Sequence, residues 1–239
     1  MLGDVAARAG PSPRRVSGRR LSGRGWAAVG ASVALASLPL LQPIFRGEAA
    51  ASVPGRSFQD GFDRPELGPH WWSAGGPWML RGGQLWGAGT RNNPLWLGMR
   101  LPPDVAVEFT ARSESATGSR PGDIKLEIFG NGRDHGSGYV LVFGGWGNSL
   151  SVIARQDEHG ADRVERSDRT VEIGRTYRMR VERRGARLRW LVDGAEFLVL
   201  EDPRPLEGAG HDRFGFSSWD ADVFFDDLRV EPLGDKEIR

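Results

Sequence analysis

The stretch that decides the fold is Gly122-Asp-Ile-Lys-Leu-Glu-Ile-Phe-Gly-Asn-Gly-Arg-Asp-His-Gly-Ser-Gly-Tyr-Val-Leu-Val-Phe-Gly-Gly-Trp146. It reads as two strands joined by a glycine-rich loop. Side chains alternate along a strand, so Ile124, Leu126 and Ile128 share one face and Asp123, Lys125 and Glu127 the other. Lys125 is expected to pair with both acidic neighbours. The second run, Tyr139 to Phe143, is apolar on both faces, the pattern of a central strand covered on both sides. It ends at Gly144-Gly145-Trp146, a bend that sets an indole at the rim of a sheet.

The rest of the chain repeats this rhythm. Val105, Val107 and Phe109 alternate, as do Tyr177, Met179 and Val181, and Leu188, Trp190 and Val192. Leu150, Val152 and Ala154 are expected to face the core, with Ile153 and Arg155 on the opposite side. Asp193-Gly194 is a strong hairpin turn, because a type I′ turn needs φ > 0 at both central residues. In Val223-Phe-Phe-Asp-Asp-Leu-Arg-Val230, strict alternation would place Asp226 on the face of Phe224, Leu228 and Val230, so a bulge or a hydrogen-bonded Asp is expected there. Pro and Gly turns separate the runs at short spacing, as in a sandwich or barrel. No solenoid or propeller period occurs.

Composition narrows the function classes. The chain has 239 residues, 34 Gly, 9 Trp and no Cys. Disulfides, thiolate metal sites and a lipoprotein anchor are therefore excluded. The net charge of +1 hides an asymmetry: residues 1–51 hold seven Arg against Asp4 and Glu48, which leaves the remainder acidic. The domain thus offers no net field for nucleic acid. Residues 1–25 read as a disordered basic leader. Residues 26–51 carry an uncharged apolar helix, Trp26 to Phe45, followed by Ala49-Ala50-Ala51. This is either an export signal cleaved before Ser52 or an uncleaved transmembrane anchor. Arg19-Arg20 fits a twin-arginine signal only loosely. Both readings export the domain to a periplasmic, extracellular or anchored location, with membrane contact only through this segment.

Several features together resemble the concanavalin A-like lectin/glucanase superfamily. They are Phe58-Gln-Asp-Gly-Phe-Asp-Arg64 with Leu67-Gly-Pro-His-Trp71, the hairpin Trp190-Leu-Val-Asp-Gly194 followed by Phe197, and the closing Val223 to Val230. The resemblance spans residues 57–232. It implies a jelly roll in which the first and last strands lie side by side. Superfamily members include carbohydrate-binding modules, laminin-G-like domains, family-16-type glucanases and 3-keto-disaccharide hydrolase-like proteins, so its motifs specify fold more closely than function. The glucanases carry a Glu-x-Asp-x-(x)-Glu strand whose carboxylates share a face. The nearest match here is Asp123-x-Lys125-x-Glu127, with Lys where the helper carboxylate belongs, and no catalytic residue is assigned.

Ligand-facing candidates follow from residue chemistry. Sugar rings pack apolar C–H faces on flat aromatics while polar neighbours bond their hydroxyls. Trp78, Trp86, Trp96 and Trp190 lie in apolar runs and read as core. Trp146 and Trp219 sit at strand ends in polar company. With Asn148, Arg155, Asp123, Lys125 and Glu127 they form the candidate binding set. His70, His135, His159 and His211 show no metal-ligand spacing, and no Gly-x-Ser-x-Gly elbow exists. Asp60, Asp63, Asp226 and Asp227 could approach one another if the terminal strands pair, which leaves calcium open without an EF-hand spacing to support it. No other cofactor is implied.

The expected architecture is an all-β, two-sheet antiparallel jelly-roll β-sandwich over residues 57–232. A basic leader (1–25), one apolar N-terminal helix within 26–51 and a linker (52–56) precede it, and a tail (233–239) follows. The expected function is carbohydrate binding by a monomeric, exported or membrane-tethered domain. A glycoside hydrolase-like enzyme and a structural or protein-binding laminin-G-like domain remain as alternatives.

Overall fold

The computed structural model describes residues 56–114 and 121–234. The leader expected over residues 1–51 lies outside the described residues, as do 52–55 of the linker and 235–239 of the tail. Among the described residues no helix is long and apolar enough to cross a membrane.

The strands are β1 (Phe58–Asp60), β2 (Trp71–Ser73), β3 (Trp78–Arg81), β4 (Gln84–Ala88), β5 (Leu95–Leu97), β6 (Val105–Glu114), β7 (Ile124–Gly130) and β8 (Tyr139–Gly144). They continue with β9 (Leu150–Arg155), β10 (Val164–Arg166), β11 (Tyr177–Arg184), β12 (Arg187–Val192), β13 (Ala195–Glu201), β14 (Arg213–Ser217) and β15 (Asp222–Pro232). They build two antiparallel sheets. The first runs β13-β12-β11-β6-β15-β4-β3, with β1 also pairing β15, and the second runs β10-β9-β8-β7-β14-β5-β2. The expected pairing of first and last strands is present, Phe58 opposite Val230 and Asp60 opposite Leu228. Asp193 and Gly194 both have positive φ, 55° and 80°, and close the β12–β13 hairpin.

The core lies between the sheets. Phe216 on β14 is the hub of its aromatic cluster. Its ring stacks on Phe225 at 4.3 Å and on Trp71 at 5.8 Å, and meets Phe109 and Phe214 edge-on at 5.2 and 4.9 Å. Rings from both sheets thus lock at one point, and offset and edge-to-face pairs add to their buried area. The expected bulge occurs on β15: its register against β6 shifts between Asp226 and Arg229, with Asp227 at φ 52°. The extra residue lets Val223 and Phe225 and then Leu228 and Val230 all reach the core.

β7 and β8 are buried along their whole length. On β8 the outward Val140 and Val142 form a small second apolar cluster with Val152 and Leu150. This corrects the face assigned to β9. Ile153 enters the main core, while Val152 and Leu150 turn outward, because the outer valines of β8 need apolar neighbours. Two tryptophans also depart from expectation. Trp78 and Trp190 are in the core. Trp86 instead points to the outer face of the first sheet, where its indole N–H donates to Asp222. Trp96 is buried on the outer face of the second sheet, packed on Gly130 and Gly215.

Replacing Phe216 by Ala empties the junction between the sheets and is expected to lower unfolding free energy by about 3–5 kcal/mol. Urea titration checks this. A loss below about 1 kcal/mol would show that the core closes without this ring.

Candidate functional site

The order β8-β7-β14 makes β7 the middle of three antiparallel strands. The end of β8, the beginning of β7 and the end of β14 therefore lie at one end of the sheet. Trp146 follows β8 and Trp219 follows β14, so the two indoles rise on either side of Asp123 and Lys125. Two inter-strand steps separate their strands, roughly 10 Å. Together with Asn92, Val142, Gly145, Gly147, Glu158 and His159 they line a cleft of about 420 Å3.

Trp146 is set by a left-handed turn. Trp146 (φ 51°, ψ 47°) and Gly147 (φ 71°, ψ 35°) both lie in the left-handed region, and Asn148 follows at φ 67°. A bulky side chain rarely adopts this conformation, which costs about 1–3 kcal/mol and persists only where its surroundings impose it. Asn148 supplies one constraint. Its amide donates to the Val171 carbonyl and its oxygen accepts the Val171 N–H, both at 2.8 Å. Close backbone contact supplies another. A Cβ on Gly122 would fall 2.2 Å from the Gly144 carbonyl oxygen, so only glycine lets β7 begin there. Asp123 N–H donates to that same carbonyl at 3.0 Å. Trp146 keeps 39% of its surface exposed. The Arg163 guanidinium lies 4.9 Å from its ring centroid, and His159 meets it edge-on at 5.5 Å.

Trp219 is 46% exposed, with the Arg91 guanidinium 5.7 Å from its ring centroid. Its backbone N–H donates to Asp123 Oδ2 at 3.1 Å. One carboxylate thus ties the start of β7 to the loop that carries the second indole.

Lys125 forms the floor. Only 2% of its side chain is exposed, so its ammonium must find partners inside the protein. It donates to Asn92 Oδ1 and to Glu158 Oε2, both at 2.8 Å, and lies 3.9 Å from Asp123 Oδ1. The loop 156–163 folds back over the outer face to bring Glu158 there. Burial acts against the charge of Glu158, but the ammonium and hydrogen bond of Lys125, then His135 and His159, hold its carboxyl below the usual range. Asp123 shifts the other way. Burial pushes its carboxyl up against the pull of Lys125, and Glu158 adds to the rise.

The seven residues of the candidate set fall into two groups. Asp123, Lys125, Trp146 and Trp219 line the cleft. Glu127, Asn148 and Arg155 do not. Glu127 is fully buried beside it, paired with His135 Nδ1 at 2.6 Å and accepting the Gly136 N–H at 2.9 Å. Lys125 therefore pairs with Asp123 and Glu158, and Glu127 turns to His135 instead. Asn148 is spent on Val171. Arg155 lies at the other end of β9, bonded to Asp202 at 2.9 Å, beside a Tyr139 phenol that burial pushes up to about 12.

Asn92, Glu158, His159 and Arg163 escaped sequence reasoning. Each stands in a polar loop whose only signal was charge or turn chemistry, and the loop after β9 read as solvated. Among the described residues no cluster of His, Asp and Glu could hold a metal ion. The four aspartates considered for calcium do not form a cage: Asp60 is taken by Arg64, the Trp71 indole and the Phe62 N–H, and Asp226 bonds Gln84 and the Asp227 N–H.

Removing the ammonium tests the floor. Lys125→Met leaves Glu158 buried without a cation and is expected to cost about 3–5 kcal/mol in denaturant unfolding, while adding Glu158→Gln should recover part of the loss. A double variant no more stable than the single one would show that the pair is not coupled. Asp123 gives a pH signature. Its folded pKa is raised, so its contribution to stability is full below the unfolded value, about pH 4, and declines as pH rises through the folded value. Asp123→Asn should gain stability relative to the wild type as pH rises above about pH 4, and a flat difference in urea midpoints would contradict the burial argument.

No family model matches the chain, and no curated protein matches it. Solved structures do. The carbohydrate-binding module CBM66 from Bacillus subtilis superposes with a TM-score of 0.56 at 18% identity, covering 68% of this chain and 95% of that one. The exoplasmic/lumenal domain of VIP36, in a Ca2+/Man3GlcNAc-bound form, gives 0.54 at 9% identity over 72% and 86%. The carbohydrate recognition domain of Emp47p gives 0.51 at 14% identity over 74% and 94%. With its two antiparallel sheets and its paired terminal strands, the described domain shares the two-sheet β-sandwich fold of these structures.

Proposed function

We propose that this domain binds carbohydrate in the cleft flanked by Trp146 and Trp219. The observation that carries the reading is the pair of half-exposed indoles set about a polar floor. Flat aromatics take the C–H faces of sugar rings, and Asp123, Lys125, Glu158 and Asn92 offer acceptors and donors to hydroxyls. Roughly 10 Å between the flanking strands leaves room for more than one sugar ring. Neighbours in fold described as a carbohydrate-binding module and a carbohydrate recognition domain support the same class of ligand. Asn148 positions the Trp146 turn in this reading, and Glu127 anchors the loop beside the floor through His135. The basic leader, apolar run and Ala49-Ala50-Ala51 support export of the domain or its tethering to a membrane.

One observation favours hydrolysis as a second reading. Asp123 and Glu158 share one ammonium, yet their carboxyls are displaced in opposite directions. Such a split is what an acid and a base on one floor would need.

A glycan array, run with and without calcium, is expected to show selective, saturable binding to a saccharide class. Trp146→Ala and Trp219→Ala should each weaken it by about tenfold or more, at least ~1.4 kcal/mol, with little change in melting because both rings are half exposed. Equal loss of stability and affinity would make the rings structural. Hydrolysis of the bound saccharide, lost in Asp123→Asn beyond any loss of binding, would establish the second reading.

A further inference from the structure

The polar groups of the cleft are unevenly committed. Lys125 spends two of its three N–H donors on Asn92 and Glu158. Among the described residues the third has no direct partner within hydrogen-bond range, since Asp123 Oδ1 stands 3.9 Å from Nζ. Asp123 Oδ2 is used by the Trp219 N–H, and the Asp220 N–H also acts on this carboxylate. Oδ1 is left facing the ammonium across a gap. At the rim, Arg163 bonds Glu165 Oε2 and the Glu158 carbonyl, and the exposed Arg91 stands 3.5 Å from Asp220.

We propose that the cleft selects neutral saccharides, seating one ring hydroxyl between Lys125 Nζ and Asp123 Oδ1, and excludes saccharides that carry a carboxylate or sulfate at that position. The proposal rests on the carbohydrate reading of the cleft. A hydroxyl fits the gap because it accepts and donates at once: it takes the spare Lys125 N–H and gives its own proton to Asp123. A carboxylate or sulfate accepts from Lys125 but has no proton for Asp123. It also sets a negative charge against Asp123 and Glu158, the two carboxylates that line the floor. Lys125 cannot offset this, because Glu158 already holds it at 2.8 Å. Burial and Glu158 already act against the charge of Asp123, and a third anion would add to that load. His135 Nε2 and His159 Nε2 lie 3.8 and 3.7 Å from Glu158 oxygens, so they face Glu158 rather than the gap. The indoles do not make this choice, since neutral and acidic sugars offer similar C–H faces. Discrimination therefore falls to the floor, where like charges in contact are costly.

The test uses the full chain and matched pairs of oligosaccharides: a neutral member, the same skeleton with uronic acids, and the same skeleton sulfated. In about 0.1 M salt the neutral member should bind at least about tenfold more tightly, and the gap should narrow near 1 M salt as screening grows. Asp123→Asn, whose amide oxygen still accepts the Trp219 N–H, presents its NH2 where Oδ1 stood, so the preference should shrink several-fold as the neutral member weakens and the acidic member gains. An acidic member that binds as tightly as its neutral partner, or more tightly, overturns the selection while leaving carbohydrate binding in place. Absence of binding to every member of every pair overturns the carbohydrate reading and the selection with it.

Discussion

A lysine ammonium on a buried strand cannot remain dry and unpaired, and this constraint at Lys125 organises the functional end of the domain. β7 is buried on both faces, so the charge of Lys125 must be met by groups brought to it from elsewhere. Glu158 comes from the loop after β9, Asn92 from the turn before β5, and Asp123 from the start of β7 itself. Two loops distant in sequence are thus bonded to one atom, with Asp123 close by. Backbone bonds from Arg91 and Asn92 to the Trp219 and Ser218 carbonyls fasten the turn before β5 as well. The sandwich supplies a rigid floor and the ion pair supplies the attachment.

The strand order does the rest. β8 and β14 flank β7, so whatever follows them rises on either side of Lys125. The chain places an indole after each. Both are oriented from the backbone. Trp146 is turned by a left-handed segment that Asn148 clasps, and the Trp219 N–H is fixed by Asp123. The covering of β7 also explains why Glu127, on the same face as Lys125, contributes to support: His135 and Gly136 close over it.

Much of the fold was legible because it rests on period-two alternation and on turn residues. The β12–β13 hairpin, the bulge at Asp226 and the pairing of terminal strands follow from Asp193-Gly194, from a misplaced acidic residue and from motif resemblance. Alternation failed where both faces of a strand are apolar. In Leu150-Ser-Val-Ile-Ala-Arg155 alternation favours the face of Leu150 and Val152 for the core, and the outward flank of Val140 and Val142 draws that face to the other side. Trp96 misled for the same reason, since a buried indole need not lie between the sheets. Of the cleft, the part built on β7 and on strand ends was readable. Glu158 and Asn92 were not, because a loop residue that reaches a buried charge is written in the same alphabet as one that meets water.

The left-handed turn at Trp146 has a consequence for how such a cleft can diversify. Its ring is held by Arg163 and His159 and its backbone by Asn148, and the opposite indole hangs from Asp123. Neither platform needs to be ordered by an arriving ligand, so little conformational entropy is left to lose on association. Their spacing is a property of the sheet's hydrogen-bond pitch and not of the rim side chains. The cleft therefore works as a fixed gauge. Substitutions along the rim can change which groups on a ligand are welcomed, while the pitch at which its rings must sit stays the same.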